Sequence, residues 1–225
     1  MKERKNMPVK VGLKYIEIWK ESMEDVVSEY EKESYEKGQI VFYGPSNFTR
    51  WGKRHGMRPM RDDLLGKSGA KCVINRGFGS SSSEHQLYYY PRMVRPLEPS
   101  VLVYSSHPNG DAFGYSNEEI WELAQRVIAY AKTDFPDLRV YLCSANARAV
   151  ATDAYTQRAN AYNKLLKEFC RENSDWCFYI DTFENHPELF GEDIYVADGV
   201  HFNQQGYDRY RDLFLKELEG ELAKF

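Results

Sequence analysis

The 225-residue sequence has no apolar run long enough to cross a bilayer. Its opening stretch, MKERKNMPVKVGLKYIEIW, lacks the unbroken apolar segment and small-residue cleavage site of a secretory signal. These absences make the cytoplasm the expected compartment and leave a membrane out of the expected partners. An excess of charge of either sign is missing too. Lys+Arg is 30 and Asp+Glu is 34, a net charge of -4, so no field recruits nucleic acid or an anionic surface. The expected partner is a neutral small molecule, with self-association into a homo-oligomer left open. Cysteine is scarce: Cys72, Cys143, Cys170 and Cys177 lie in or beside apolar runs, and none forms a C-x-x-C pair. Free core thiols are expected rather than zinc ligands or a disulfide framework. There is no internal repeat, no stretch resembling an interdomain linker, and no low-complexity tract beyond the brief run Ser80–Ser83. One domain over residues 1–225 follows, with 1–38 as an N-terminal helical extension packed on it.

What is present is an alternation. Ile16, Trp19, Met23, Val26, Val27 and Tyr30 recur at helical spacing and predict an amphipathic helix over 14–37, stopped by Gly38. Five short apolar runs rich in β-formers follow: Gln39–Tyr43, Ala70–Asn75, Val101–Ser106, Leu138–Cys143 and Trp176–Ile180. Helical patterns separate them. One leads to Pro99, one is opened by the capping box Ser116/Glu119, one carries Tyr155, Ala159, Tyr162, Leu166 and Phe169, and the last carries Tyr207, Tyr210, Phe214 and Leu218. Strands apolar on both faces, alternating with helices, predict a three-layer α/β/α sandwich around a central five-stranded parallel sheet. Ligands of such sheets bind beyond the carboxyl ends of the strands. The loops opening at Gly44, Asn75, Ser106 and Ile180 are therefore the ones to place together.

Chemistry-bearing residues fall in those loops. Asp198-Gly199-Val200-His201 sets a carboxylate and an imidazole three residues apart, close enough for the acid to orient the ring at little loop-closure cost. Alone, the same four residues also describe a turn and a helix cap. Ser46 follows the first strand at a strand-to-helix turn, where a hydroxyl can face a cleft or simply cap the helix. Asn75-Arg76-Gly77-Phe78-Gly79-Ser80 follows the second strand and Asn109 the third. Trp51, Phe78 and Tyr88-Tyr89-Tyr90 could line a sugar or acyl cleft, but packing is the better expectation, and three consecutive tyrosines on a helix place at least one in the core.

Taken in order, these blocks resemble the GDSL, or SGNH, hydrolase superfamily from about residue 39 to 215, in particular its smaller bacterial esterases and the catalytic subunits of platelet-activating-factor acetylhydrolase. The resemblance implies the flavodoxin-like fold of that superfamily, Ser46 as nucleophile, and His201 as base oriented by Asp198. It implies an oxyanion hole from the N–H of Ser46, the N–H near Gly79 and Ser80, and the Asn109 amide. Asn47, His107 and Val200 are the expected substrate-lining neighbours. A serine esterase cleaving short-chain, chiefly acetyl, esters through an acyl-enzyme is implied, with an acetylated carbohydrate as the expected substrate class and no metal or organic cofactor. Three departures touch the site. Pro45 stands for the motif Asp, Ser80 for a Gly, and His107-Pro108 for Gly-x. Ser80 can do the backbone work of a glycine comfortably only at negative φ. Three rival functions remain at this level: a ligand-binding member with altered chemistry, an O-acyltransferase using the same three residues, and a metal-dependent phosphoesterase built on Asp181, His186, Asp198 and His201.

Overall fold

The computed structural model describes residues 16–106, 109 and 114–225. Five strands, β1 Ile40–Gly44, β2 Val73–Gly77, β3 Val101–Tyr104, β4 Arg139–Cys143 and β5 Cys177–Ile180, form one sheet in the order β2-β1-β3-β4-β5. Every pairing is parallel. The period of two along each strand divides its side chains between two cores. Val41, Tyr43, Ile74, Leu102 and Leu142 enter one, beneath α1 Lys20–Glu31, α4 Ser83–Met93, α5 Asn117–Asp134 and most of α6 Asp153–Glu172. Ile40, Phe42, Val73, Val103 and Tyr141 enter the other, beneath α2 Ser46–Thr49, α3 Met60–Asp63 and α7 Gln204–Glu217. The expected α/β/α sandwich is the fold observed. All four cysteines are free and buried, and among the described residues no helix is long and apolar enough to cross a membrane.

Two elements differ from expectation. The first helix is shorter than 14–37, of which residues 14 and 15 lie outside the described set. Trp19 takes φ 65° at its N-cap and stays 57% exposed rather than joining the apolar face. At the other end the chain leaves the helix to serve Arg76, whose guanidinium is buried and needs compensation. Glu33 accepts from it at 2.6 Å, and the Tyr30 and Tyr35 rings lie 4.7 and 5.2 Å from it. The second strand starts later than expected and runs on through Arg76 and Gly77, so the turn begins at Phe78. Trp51, Phe78, Tyr89 and Tyr90 are core residues, while Tyr88 is exposed.

The strand order reverses at β1, whose neighbours β2 and β3 carry the chain off in opposite directions; the crevice at the carboxyl end of β1 is the switch point where ligands of such sheets sit. A single helical turn, α2, stands there. It cannot be stable by itself and is held by its surroundings. Phe48 packs edge-on to Phe42 and Phe214, with ring centroids 5.3 and 6.4 Å apart. The Asn75 amide donates to the Phe48 carbonyl at 2.7 Å and accepts from the Gly77 N–H at 2.8 Å, so the asparagine after the second strand fastens α2 rather than facing the cleft. Tyr207 donates its hydroxyl to the Asn47 carbonyl at 2.9 Å. Gly77 permits this seating, because a Cβ there would fall on the Thr49 nitrogen and lie 2.7 Å from the Phe48 carbonyl carbon.

Gly77→Ala is expected to cost about 1–3 kcal/mol through forced displacement of α2, read as a lower urea midpoint. Gly220→Ala, whose methyl meets nothing within 4 Å, serves as the control. Equal midpoints for the two variants would show that α2 does not depend on this close approach.

Candidate active site

β1 delivers the chain to Pro45, whose missing N–H matters little at a helix N-cap. Ser46 is then the first helical residue rather than the cap. The opening N–H groups of α2, those of Ser46 and Asn47, precede the first residue that can donate within the helix. The Ser46 hydroxyl lies 2.8 Å from His201 Nε2. On the far side of the ring, Nδ1 lies 2.7 Å from Asp198 Oδ2. Three side chains from two segments 155 residues apart therefore form one chain of contacts.

The loop carrying Asp198 and His201 is braced from within. Tyr195 and Phe202 form an isolated antiparallel bridge, the Val196 N–H donates to the His201 carbonyl at 2.9 Å, and Gly199 turns at φ 65°. Asp198 Oδ1 accepts from the N–H groups of Val200 and His201, each at 2.9 Å, so the carboxylate builds the turn while its other oxygen holds the ring. Partial burial pushes this carboxyl upward, but the hydrogen bonds from the His201 ring and from the two backbone N–H groups outweigh it and hold the pKa at about 2. Arg50 Nη1 adds a longer contact, 3.8 Å from Oδ2. His201 does not cap the helix that follows. Asn203 does, accepting from the Gly206 N–H at 3.1 Å.

A cavity of about 280 Å³ opens over Ser46 and His201. Asn47, Gly79, Ser80, Asn109 and Val200 also line it, and Asp198 stands behind the imidazole. His107 lies outside the described residues. Asn109 donates one amide hydrogen to the Ser81 carbonyl at 3.0 Å and keeps a second N–H on the same nitrogen. Asn47 is largely buried, donating to Asn146 Oδ1 at 3.3 Å. Ser80 adopts φ 60°. Its backbone takes the left-handed shape a glycine would take without strain, so the replacement falls in the unfavourable geometry.

Sequence reasoning missed one wall altogether. The loop between β4 and α6 supplies Asn146, Arg148 and, at the start of α6, Tyr155; Arg50 and His55 come from the segment after α2. The signal available was position alone: this loop also leaves the carboxyl end of a strand. The four residues of the metal-dependent alternative are not gathered. Asp181 accepts from the N–H groups of Phe183, Glu184 and Asn185, His186 Nδ1 pairs with Glu188 at 2.6 Å, and among the described residues no three ligand-type side chains converge.

No protein-family model matches the sequence, and no curated protein matches it. Solved structures do resemble it. A GDSL-like lipase from Bacteroides thetaiotaomicron superimposes with a TM-score of 0.70 at 20% identity, over 88% of this chain and 98% of that one. An acetyl xylan esterase gives 0.65 at 19% identity, over 80% and 99%. A variant of an acetyl-xylooligosaccharide esterase from Geobacillus gives 0.62 at 12% identity, over 81% and 94%. At such identities the likeness establishes a shared fold.

Two outcomes are expected. The Asp198 carboxyl, about 2 when folded against about 3.9 in an unfolded chain, is depressed. Its contribution to stability is therefore complete above about pH 4 and is lost as pH falls through 2; carboxyl-selective NMR showing a midpoint near 4 would contradict the geometry. Ser80→Gly removes a left-handed strain of roughly 1–2 kcal/mol, partly offset by glycine's greater freedom when unfolded. A rise in stability of up to about 1 kcal/mol is expected in urea titration, and a fall would show that the serine side chain is needed there.

Proposed function

We propose that this protein is a serine esterase that cleaves short-chain, chiefly acetyl, esters through an acyl-enzyme, with acetylated carbohydrate as the substrate class. The observation that carries the reading is the 2.8 Å contact between the Ser46 hydroxyl and His201 Nε2, continued at 2.7 Å from Nδ1 to Asp198. In this reading Ser46 Oγ attacks the ester carbonyl while His201 takes its proton, and the Asp198 carboxylate stabilises the imidazolium. Negative charge developing on the carbonyl oxygen meets the Ser46 N–H, the N–H near Gly79 and Ser80, and the remaining Asn109 amide hydrogen. One such donor is typically worth about 10²–10³ in rate. The tetrahedral species collapses as His201 passes its proton to the leaving alcohol. His201 then deprotonates a water that releases the acid and restores Ser46. Every step is served by groups of the chain itself.

The small cavity supports a short acyl group: about 280 Å³ falls just below the usual span of ligand sites, roughly 300 to 1,000 Å³. The shared fold with a GDSL-like lipase and two esterases of acetylated xylan or xylo-oligosaccharide supports the reaction class. One observation favours a second reading, a ligand-binding member with weakened chemistry: the left-handed Ser80 stands where the oxyanion glycine is expected.

A fluorophosphonate probe is expected to label the wild-type protein at Ser46 and to leave Ser46→Ala unlabelled. On a p-nitrophenyl ester series, acetate and butyrate are expected to exceed long-chain esters in kcat/KM. Labelling at a different serine, or none with every ester inert, would favour the second reading. Faster turnover of long chains would remove the acetyl assignment.

A further inference from the structure

The cavity over Ser46 holds more positive charge than acyl transfer uses. Arg50 and Arg148 both line it, one from the end of α2 and the other from the loop between β4 and α6, with His55 beside them. No aspartate or glutamate is among its described lining residues. Arg148 rests on an aromatic platform: its guanidinium carbon is 3.9 Å from the centroid of the Tyr155 ring. The Tyr155 hydroxyl donates to the Asn146 carbonyl at 2.7 Å, which fixes the ring. Among the described residues no hydrogen-bond acceptor or carboxylate pairs with the Arg148 guanidinium, and Arg50 has only the 3.8 Å contact with Asp198 Oδ2, an oxygen already committed to the His201 ring. Burial, and then the charges of Arg50, Arg54 and His201, lower the pKa of His55. The ionisable side chains at the rim of the cavity are thus mostly basic, although the chain as a whole carries -4.

Two guanidinium groups brought into one cleft, with the 3.8 Å contact from Arg50 to Asp198 as the ionic pairing between them, repel each other and lose hydration. Elsewhere the protein matches buried and half-buried arginines with carboxylates: Arg92 meets Glu24 at 2.5 Å and Glu31 at 2.7 Å, and Arg76 meets Glu33 at 2.6 Å. A planar fork of N–H donors with nothing to bind, stacked on a ring at the edge of a reaction centre, is suited to an oxyanion such as a carboxylate. We infer that the ester taken by this site carries an anionic group, held by Arg148 with Arg50 beside it while the ester carbonyl faces Ser46. This rests on the esterase reading for the bond that is cut, and it replaces the neutral partner expected from net charge with a carboxylate-bearing one.

Two matched ester pairs place the anion on either side of the scissile bond. 4-Acetoxybenzoate and 4-acetoxybenzamide differ in charge on the alcohol side, and mono-p-nitrophenyl glutarate and p-nitrophenyl valerate on the acid side. In at least one pair the anionic member is expected to have the higher kcat/KM by about tenfold, the ratio given by roughly 1.4 kcal/mol; which pair responds identifies the side. Arg148→Gln is expected to bring that ratio near one and Arg148→Lys to keep part of it. Binding of 4-hydroxybenzoate and glutarate by calorimetry, with 4-hydroxybenzamide as the neutral control, reads the same site without turnover. Binding selective for carboxylate and weakened in Arg148→Gln supports the inference even if every ester is inert, an outcome that removes the esterase reading alone. Neutral esters cleaved as well as or better than anionic ones in both pairs would overturn it and leave the esterase reading intact. So would a preference unchanged in Arg148→Gln. Should every ester be inert, carboxylate binding that is absent or unselective would overturn the inference as well.

Discussion

A hydroxyl and an imidazole from opposite ends of the chain meet because one turn of helix is pressed onto the end of a parallel sheet. α2 has four residues and no independent stability, yet its place is fixed from every side. Gly77 clears the space beneath it, the Asn75 amide takes up its Phe48 carbonyl, Tyr207 takes the Asn47 carbonyl, and Phe48 is clasped by Phe42 and Phe214. Tyr207 and Phe214 belong to α7, the helix whose N-cap, Asn203, stands two residues after His201. The same packing that seats Ser46 thus seats its partner, and the distance between them follows from core packing as much as from any bond they make with each other.

The electrostatics of the cleft are local. A net charge of -4 says little about a cavity lined by two arginines, two histidines and a tyrosine, with a carboxylate already committed to one imidazole behind it. Asp198 is held ionised by His201 and by backbone donors of its own loop, so its charge does not rest on the imidazole alone. A further bond joins the two walls: the Ala149 N–H donates to the Gly199 carbonyl at 2.9 Å, tying the loop that carries Arg148 to the turn that carries Asp198 and His201.

Much of the fold was legible because strand and helix periods alternate cleanly, and buried parallel strands read as unbroken apolar runs. That Ser46 and Asn109 follow strands was legible for the same reason, and Asp198 and His201 were legible as a carboxylate and an imidazole three residues apart in the loop before the last helix. What escaped the sequence depended on partners far away in the chain. The early end of α1 comes from a buried guanidinium on β2, at Arg76, that draws Glu33 and Tyr35 out of the helical path. Arg148 carries no motif around it and becomes a cavity residue only when α6 brings Tyr155 alongside. The φ of Ser80 could not be read either, since serine disfavours positive φ and the turn after β2 imposes it.

Part of the oxyanion-holding capacity assigned to this cleft resides in peptide groups, and Pro45 shows what that permits. A residue at the N-cap of α2 can be exchanged for one with no donor and a different side chain while the Ser46 N–H stays where it is. What the turn presents to the cleft is then set by the path of the main chain, and a proline at its cap leaves the donor beyond it in place.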